Sequence, residues 1–217
     1  KLAFLLPENQ ERVVSFRIID IGMLIPGTIH YTMKCINHEM CSLLLSTPKK
    51  FAHKGTKGNA LLISGCVTMP GATILASNAA MRGGLGKLTV HAPQSVLKSI
   101  AVTVPEVVHS QDEDNEYFSE IKTDLKLFDA IAIGSGLGRN EKTTQAVKHF
   151  LDKMESDQYR SPLIIDADAL NIISEHPEWF SLIPKESIIT PHLKEFERIA
   201  GKSSNDFERM QKVQDLS

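Results

Sequence analysis

Ala130-Ile-Ala-Ile-Gly-Ser-Gly-Leu-Gly138 carries a short apolar run straight into three glycines within five positions. Such a run reads as a buried strand. The glycines after it supply the positive-φ conformations that let main chain approach a ligand closely. The same order recurs twice downstream. Leu163-Ile-Ile165 leads into Asp166-Ala-Asp-Ala-Leu-Asn171, and Ser187-Ile-Ile189 leads into Thr190-Pro-His-Leu-Lys-Glu195. Strands that end in glycine, acid and histidine predict an α/β protein with a mostly parallel sheet, whose carboxyl edge is where open sheets bind ligands.

The pattern extends upstream. Ala60-Leu-Leu-Ile63 predicts a strand and the small, apolar residues 72–82 a tightly packed helix. Gly83-Gly-Leu-Gly86 ends that helix, and Lys87–His91 is the next strand. A second unit places helix Glu141–Met154 between strands Ala130–Ile133 and Leu163–Ile165, and a third places Ala169–Glu175 before Ser187–Ile189. Repeated strand–helix–strand units cross over right-handedly and put helices on both faces of the sheet. Before Phe51 the character differs. Leu2–Leu6 and Val13–Ile19 read as two strands around a Pro7-Glu-Asn-Gln10 turn. Two strands alone are marginal, so residues 1–22 are expected to belong to a sheet completed elsewhere. Residues 23–50 read as a linker with one short helix around His38–Leu45, and Asn205–Ser217 has helical character.

With 217 residues and 42% hydrophobic content, the chain can bury a substantial core. Its net charge of −2 comes from 24 basic and 26 acidic side chains with no long like-charge block, which argues against a nucleic-acid partner. Cys35, Cys41 and Cys66 form no C-x-x-C pair and read as reduced thiols of a cytoplasmic protein. No apolar run approaches the roughly 20 residues of a membrane span, and the residues from Lys1 lack the n-region, apolar core and small-residue cleavage site of a signal peptide. A start at Lys1, without methionine, reads as the interior of a longer protein.

Each candidate residue has a functional and a structural reading. The glycines of Gly134–Gly138 let backbone approach a ligand or simply form a loop; they follow earlier strands and lack the acid expected some twenty positions on, so they do not read as a Rossmann fingerprint. Asp166 and Asp168 suit a metal–phosphate group or a catalytic water, with a helix N-cap as the structural reading of Asp168. His192 is either a ligand contact or part of a helix start in which Thr190 caps, Pro191 begins the helix and Glu195 supports it. Gly65, Gly71 and Ala72 line a turn of minimal bulk that suits a flat ring or tight helix packing. Histidine spacing offers no zinc motif, and neither a Gly-x-Ser-x-Gly elbow nor a Walker A loop occurs.

Taken in order, His53-Lys-Gly, Leu62-Ile-Ser-Gly65, Pro70-Gly-Ala72, Ala79-Ala-Met-Arg82, Gly84-Leu-Gly86, Pro105-Glu106 and the three strand-end motifs make a set. Over roughly Phe51–Gly201 that set resembles the ADP- or ATP-dependent NAD(P)H-hydrate dehydratases of the ribokinase-like superfamily. Lys1–Gly22, ending in Asp20-Ile-Gly22, resembles the last strands of an NAD(P)H-hydrate epimerase domain. The resemblance implies a three-layer α/β/α domain over 51–217, preceded by an epimerase tail (1–22) and a linker (23–50). It also implies a repair lyase that dehydrates (S)-NAD(P)H hydrate at the expense of ADP or ATP, through phosphorylation of the ring hydroxyl. Ala72, Gly136 and His192 match positions that contact the hydrated dinucleotide. Glu195 and Asp166 match a phosphate and magnesium network. A homo-oligomer, with a tetramer as one form, no membrane partner and K+ for the epimerase part are further implications.

The chain departs from the family pattern in two places. Leu193-Lys194 stands where many members have Pro-Gly, with the His-to-Glu spacing kept. The family's late Lys-Gly strand and Gly-x-Gly-Asp segment, which supply an anion-holding helix N-terminus and the general base, have no counterpart before Ser217. The ribokinase-like fold is therefore expected to be incomplete at the C-terminus and the chain inactive alone. A vitamin-precursor kinase of the same fold and a non-catalytic nucleotide-binding module are the alternatives.

Overall fold

The computed structural model describes residues 6–13, 15, 17, 36–44, 50–159 and 161–216. Most residues of the two N-terminal strands expected around the Pro7 turn, and of the 23–50 linker, lie outside the described residues. The chain divides into two compact units, residues 52–202 and residues 1–51 with 203–217. In chain order the helices and strands are α1 (His38–Leu44), β1 (Asn59–Ile63), α2 (Pro70–Arg82), β2 (Lys87–Ala92), α3 (Gln94–Thr103), β3 (Val108–Gln111), β4 (Ala130–Ile133), α4 (Glu141–Ser156), β5 (Leu163–Ile165), α5 (Ala167–Ser174), β6 (Ile188–Ile189), α6 (Leu193–Ala200) and α7 (Asp206–Leu216).

In the 52–202 unit all six strands run parallel, in the order β3-β2-β1-β4-β5-β6. Strand order reverses between β1 and β4, which makes the gap beyond their carboxyl ends the topological switch point, the crevice where such sheets hold ligands. Alternation along β1 sends Leu61 and Ile63 into one core with Ile131, Ile133, Leu163 and Ile165. Leu62 goes to the opposite core with Leu88 and Val90. The first core packs under α4 and α5. In α4, Thr143, Ala146, Val147, Phe150, Leu151 and Met154 are buried at helical spacing, and Asn140 caps the helix by accepting the Thr143 N–H at 2.9 Å. The second core packs under α3 and the small-residue face of α2.

α2 starts at Pro70, where a missing N–H costs nothing, and ends at Gly83, whose N–H returns to Ala79 O at 2.8 Å. Beside it, Ala76, Ala79 and Ala80 together with Leu62, Ala132 and Ile164 of the sheet line an apolar trough of about 440 Å³. The trough rises to Ser135, Asp166 and Thr190 at the carboxyl edge. α3 and β3 have no counterpart among the elements expected from sequence. β3 is an edge strand that is largely exposed and lacks an apolar run. At the amino edge, the Lys54 carbonyl oxygen would lie 1.8 Å from a Cβ on Gly86, so His53-Lys-Gly and Gly84-Leu-Gly86 meet there, away from the crevice.

In the other unit, α1 is capped by Asn37, which accepts the Met40 N–H at 2.9 Å. The turn Pro7–Asn9 and α7 exchange two bonds. Glu8 N–H donates to Asp206 Oδ2 at 3.0 Å, and Asp206 N–H donates to Glu8 Oε2 at 3.1 Å. Among the described residues no helix is long and apolar enough to cross a membrane.

Candidate active site at the carboxyl edge

Two turns face each other across the switch point. Gly134 N–H reaches Ile63 O at 3.2 Å, and Gly65 N–H reaches Ser135 O at 2.9 Å. The Ser64 hydroxyl donates to the same Ser135 carbonyl at 2.7 Å and stands 3.1 Å from Thr73 Oγ1. Gly65 has φ +84°, and a Cβ there would fall 2.2 Å from Thr73 Oγ1. At Gly136 φ is +68°, and a Cβ would stand 2.7 Å from Ala72 Cβ and 3.1 Å from Met69 O. Ala72 and Gly136, far apart in sequence, therefore touch. α2 opens at this contact with Met69 at its N-cap position, whose side chain makes no capping bond. The positive end of the α2 dipole thus faces the glycine turn.

Asp166 joins three strand ends. Its Oδ2 accepts the Ser135 hydroxyl at 3.1 Å from the β4 turn, and its Oδ1 accepts the Thr190 hydroxyl at 2.7 Å beyond β6. The cap reading of Asp168 is corrected here. Asp166 occupies the N-cap position of α5, and the carboxylate of Asp168 accepts the Gly138 N–H at 2.9 Å, fastening the end of the glycine turn. Between the two acids Ala167 has φ +46°, a left-handed conformation in a non-glycine residue.

The histidine motif also differs from the expected helix start. α6 begins at Leu193, and His192 itself is the N-cap. Its Nδ1 accepts the N–H groups of Lys194 (3.1 Å) and Glu195 (3.3 Å), while Glu195 Oε2 accepts the His192 N–H at 2.9 Å. This is a capping box with histidine in the place of serine. An accepting Nδ1 assigns the ring proton to Nε2, which lies 3.4 Å from Glu195 Oε1 in a side chain that is 64% exposed. Glu195 is buried and also accepts Asn171 Nδ2 at 3.1 Å; Arg198 in turn donates to Asn171 Oδ1. Both Glu195 oxygens therefore serve the chain's own donors. Among the described residues no group of three or more His, Cys, Asp or Glu could hold a metal ion.

One wall escaped the sequence reading. After β3, Asp112, Asp114 and Tyr117 lie on a bend whose Glu116 carbonyl accepts the Val67 N–H at 2.8 Å. The Tyr117 ring stands 3.8 Å from where a Cβ on Gly138 would be. A hydrogen bond from Lys142, with the Glu116 N–H adding to it, holds the Asp114 carboxyl down at about 2. Burial pushes the Asp112 carboxyl up, but hydrogen bonds from His91 and Ser119 outweigh it and leave the group below its ordinary value. The sequence signal for this wall is the Asp112-Glu-Asp-Asn115 cluster, residue types that favour side-chain-closed turns.

A parallel sheet with its site at the switch point and helices on both faces is the architecture of the ribokinase-like proteins. The chain superposes on a ribokinase-like superfamily protein from Enterococcus faecalis V583 with a TM-score of 0.69 at 20% identity, covering 88% of this chain and 66% of that one, which speaks to the fold alone. Within that class, a family model described as NAD(P)H-hydrate dehydratase matches residues 60–217. The chain belongs to the NAD(P)H-hydrate dehydratase family. It is 37% identical over 161 residues to the ADP-dependent (S)-NAD(P)H-hydrate dehydratase of Bacillus subtilis, 73% of this chain and 52% of the relative. The crystal structure of the ADP/ATP-dependent enzyme from Bacillus subtilis, co-crystallized with ATP/Mg2+, superposes with a TM-score of 0.59 at 31% identity, covering 83% of this chain and 60% of that one. The bifunctional NAD(P)H-hydrate repair enzyme Nnr of Dictyoglomus turgidum is 28% identical over 192 residues, 84% of this chain and 35% of the relative. The chain spans about half the length of the curated dehydratases it matches.

Proposed function

We propose that the crevice between the Gly65–Ala72 and Gly134–Gly138 turns binds the hydrated dinucleotide of an NAD(P)H-hydrate dehydration reaction. The contact of Ala72 with Gly136 carries this reading, because it sets the bare main chain of the glycine turn beside the uncapped, positive end of α2. A pyrophosphate is drawn to such a helix end, and the low bulk of the touching turns lets a ligand lie close over them. His192, whose ring is largely exposed and whose Nε2–H lies 3.4 Å from Glu195 Oε1, is the hydrogen-bond donor this reading places at the far end of the edge.

The remaining carboxylates have positioning roles in this reading. Asp166 ties the strand ends together, and Glu195 fixes the His192 cap. The described residues do not by themselves form a magnesium site, since both oxygens of Asp166 and of Glu195 already accept protein donors. A magnesium ion here would take its oxygens mainly from nucleotide phosphates. ADP or ATP would supply the phosphoryl group that makes the ring hydroxyl a leaving group. A cytoplasmic setting and a homo-oligomer accompany this proposal; the K+ of an epimerase part falls on residues outside those described.

The test is binding of NADPH hydrate, followed by titration and by recovery of NADPH absorbance in the full-length gene product with ADP or ATP. Saturable binding that Gly136→Val abolishes supports the reading. Phosphorylation of hydroxymethylpyrimidine or thiazole alcohols, with no binding of hydrated NADPH, would replace it with a vitamin-precursor kinase.

A further inference from the structure

Behind the Tyr117 wall lies a buried polar group that dinucleotide binding leaves without a task. His91, near the end of β2, is 3% exposed. Its Nε2 stands 3.1 Å from Asp112 Oδ2 and its Nδ1 2.9 Å from Ser110 Oγ on β3. Phe118 closes the ring with its edge, at a centroid separation of 5.8 Å and an angle of 87°. Asp112 also accepts the N–H groups of Asp114 and Ser119, both at 2.9 Å, and the Ser119 hydroxyl. Serine, histidine and aspartate in a row are the parts of a nucleophile relay, but the histidine is sealed from solvent, so the row serves as a fastener.

What it fastens is the bend 112–119. The Asn115 carbonyl of that bend accepts the Ser95 hydroxyl at 2.8 Å, the Glu116 carbonyl accepts Val67 N–H, and Asp114 receives Lys142 Nζ at 2.5 Å from the first turn of α4. Tyr117, carried on this bend, is half-buried against Gly138. A carboxylate taking several bonds at one bend is rigid, and removing it strands several buried donors at once.

We propose that Tyr117 is a specificity-determining residue, the wall against which a planar ring of the bound dinucleotide packs, and that Asp112, anchored on His91, is the residue that positions it. The proposal rests on the dinucleotide reading of the crevice. NADPH is the probe, titrated against the chain by the fluorescence of its reduced nicotinamide. Tyr117→Ala weakens binding about tenfold, whereas Tyr117→Phe, which keeps the ring, stays within about twofold of wild type. Asp112→Ala weakens binding by a comparable factor alone but adds nothing in the Tyr117→Ala background, the non-additivity expected when one residue acts through another. Ser119→Ala removes a single bond to the same carboxylate, and its few-fold loss carries the test if Asp112→Ala does not fold. Full affinity in Tyr117→Ala, or additive losses in the double variant, would overturn the proposal. A wild-type chain that binds neither NADPH nor its hydrate would instead overturn the dinucleotide reading itself.

Discussion

Gly134 and Asp166 share a backbone contact with no room for a side chain: a Cβ on Gly134 would stand 1.8 Å from the carbonyl oxygen of Asp166. The clash is with main chain, which cannot rotate away, and Gly134 also has φ +137°. Gly134→Ala is therefore expected to lower stability by about 1–3 kcal/mol from the backbone conformation alone, with the steric push on β5 in addition. Chemical denaturation of the variant checks this, and a midpoint equal to wild type would show that the two turns do not meet.

Gly136 and Ala72 allow a finer dissection. Gly136→Ala meets both a side-chain clash with Ala72 and the cost of φ +68°. Adding Ala72→Gly removes the clash with Ala72 but keeps the backbone cost and the 3.1 Å approach to Met69 O. The double variant is expected to recover part of the stability lost by Gly136→Ala, leaving a deficit of about 1 kcal/mol or more. Thermal unfolding of the single and double variants measures the difference.

His192 has two separable duties in the proposed site, capping α6 through Nδ1 and offering a ligand the Nε2–H that lies 3.4 Å from Glu195 Oε1. Asparagine is a preferred cap without that ring donor. His192→Asn should hold stability within about 0.5 kcal/mol of wild type while weakening dinucleotide binding, whereas His192→Ala should lose about 1 kcal/mol as well. Equal affinity in His192→Asn and wild type would confine this residue to its cap.

Asp114 gives the fold an acid limit. Its carboxyl is held at about 2 by Lys142, below the ordinary 3.8. A depressed carboxylate stabilises the folded state above its unfolded value, and this contribution disappears as pH falls through the folded one. The stability advantage of wild type over Asp114→Asn should be full above about pH 4 and shrink between pH 4 and pH 2. Urea titrations at stepped pH measure it, and a constant difference across that window would contradict the Asp114–Lys142 pairing.

Much of the 52–202 unit is legible from period and punctuation. Ala130–Ile133 and Leu163–Ile165 coincide with observed strands, and α2 and α4 lie where small-residue packing and amphipathic spacing place them. β3 was not legible because Val108-His-Ser-Gln111 is an exposed edge whose pairing, not its composition, makes it a strand. The histidine cap escaped because histidine is an unusual N-cap; the bonds to Lys194 and Glu195 decide it. Asp112 and Tyr117 gave only a turn signal, since their partners, His91 of β2 for Asp112 and Gly138 for Tyr117, are about twenty residues away in sequence.

The pairing of Ile63 with Ile133, and of Ile133 with Ile165, makes the three site loops leave the sheet at one height. A slip of β4 by one residue would turn Ile131 and Ile133 into the opposite layer, under α2 and α3, and carry Gly134 and Ser135 out of step with Gly65 and Asp166. Ligand affinity is thus a gauge of strand alignment. Core substitutions beneath β4 that leave the helical signal intact should first reveal themselves as a loss of affinity, a molecule still folded but misregistered at its working edge.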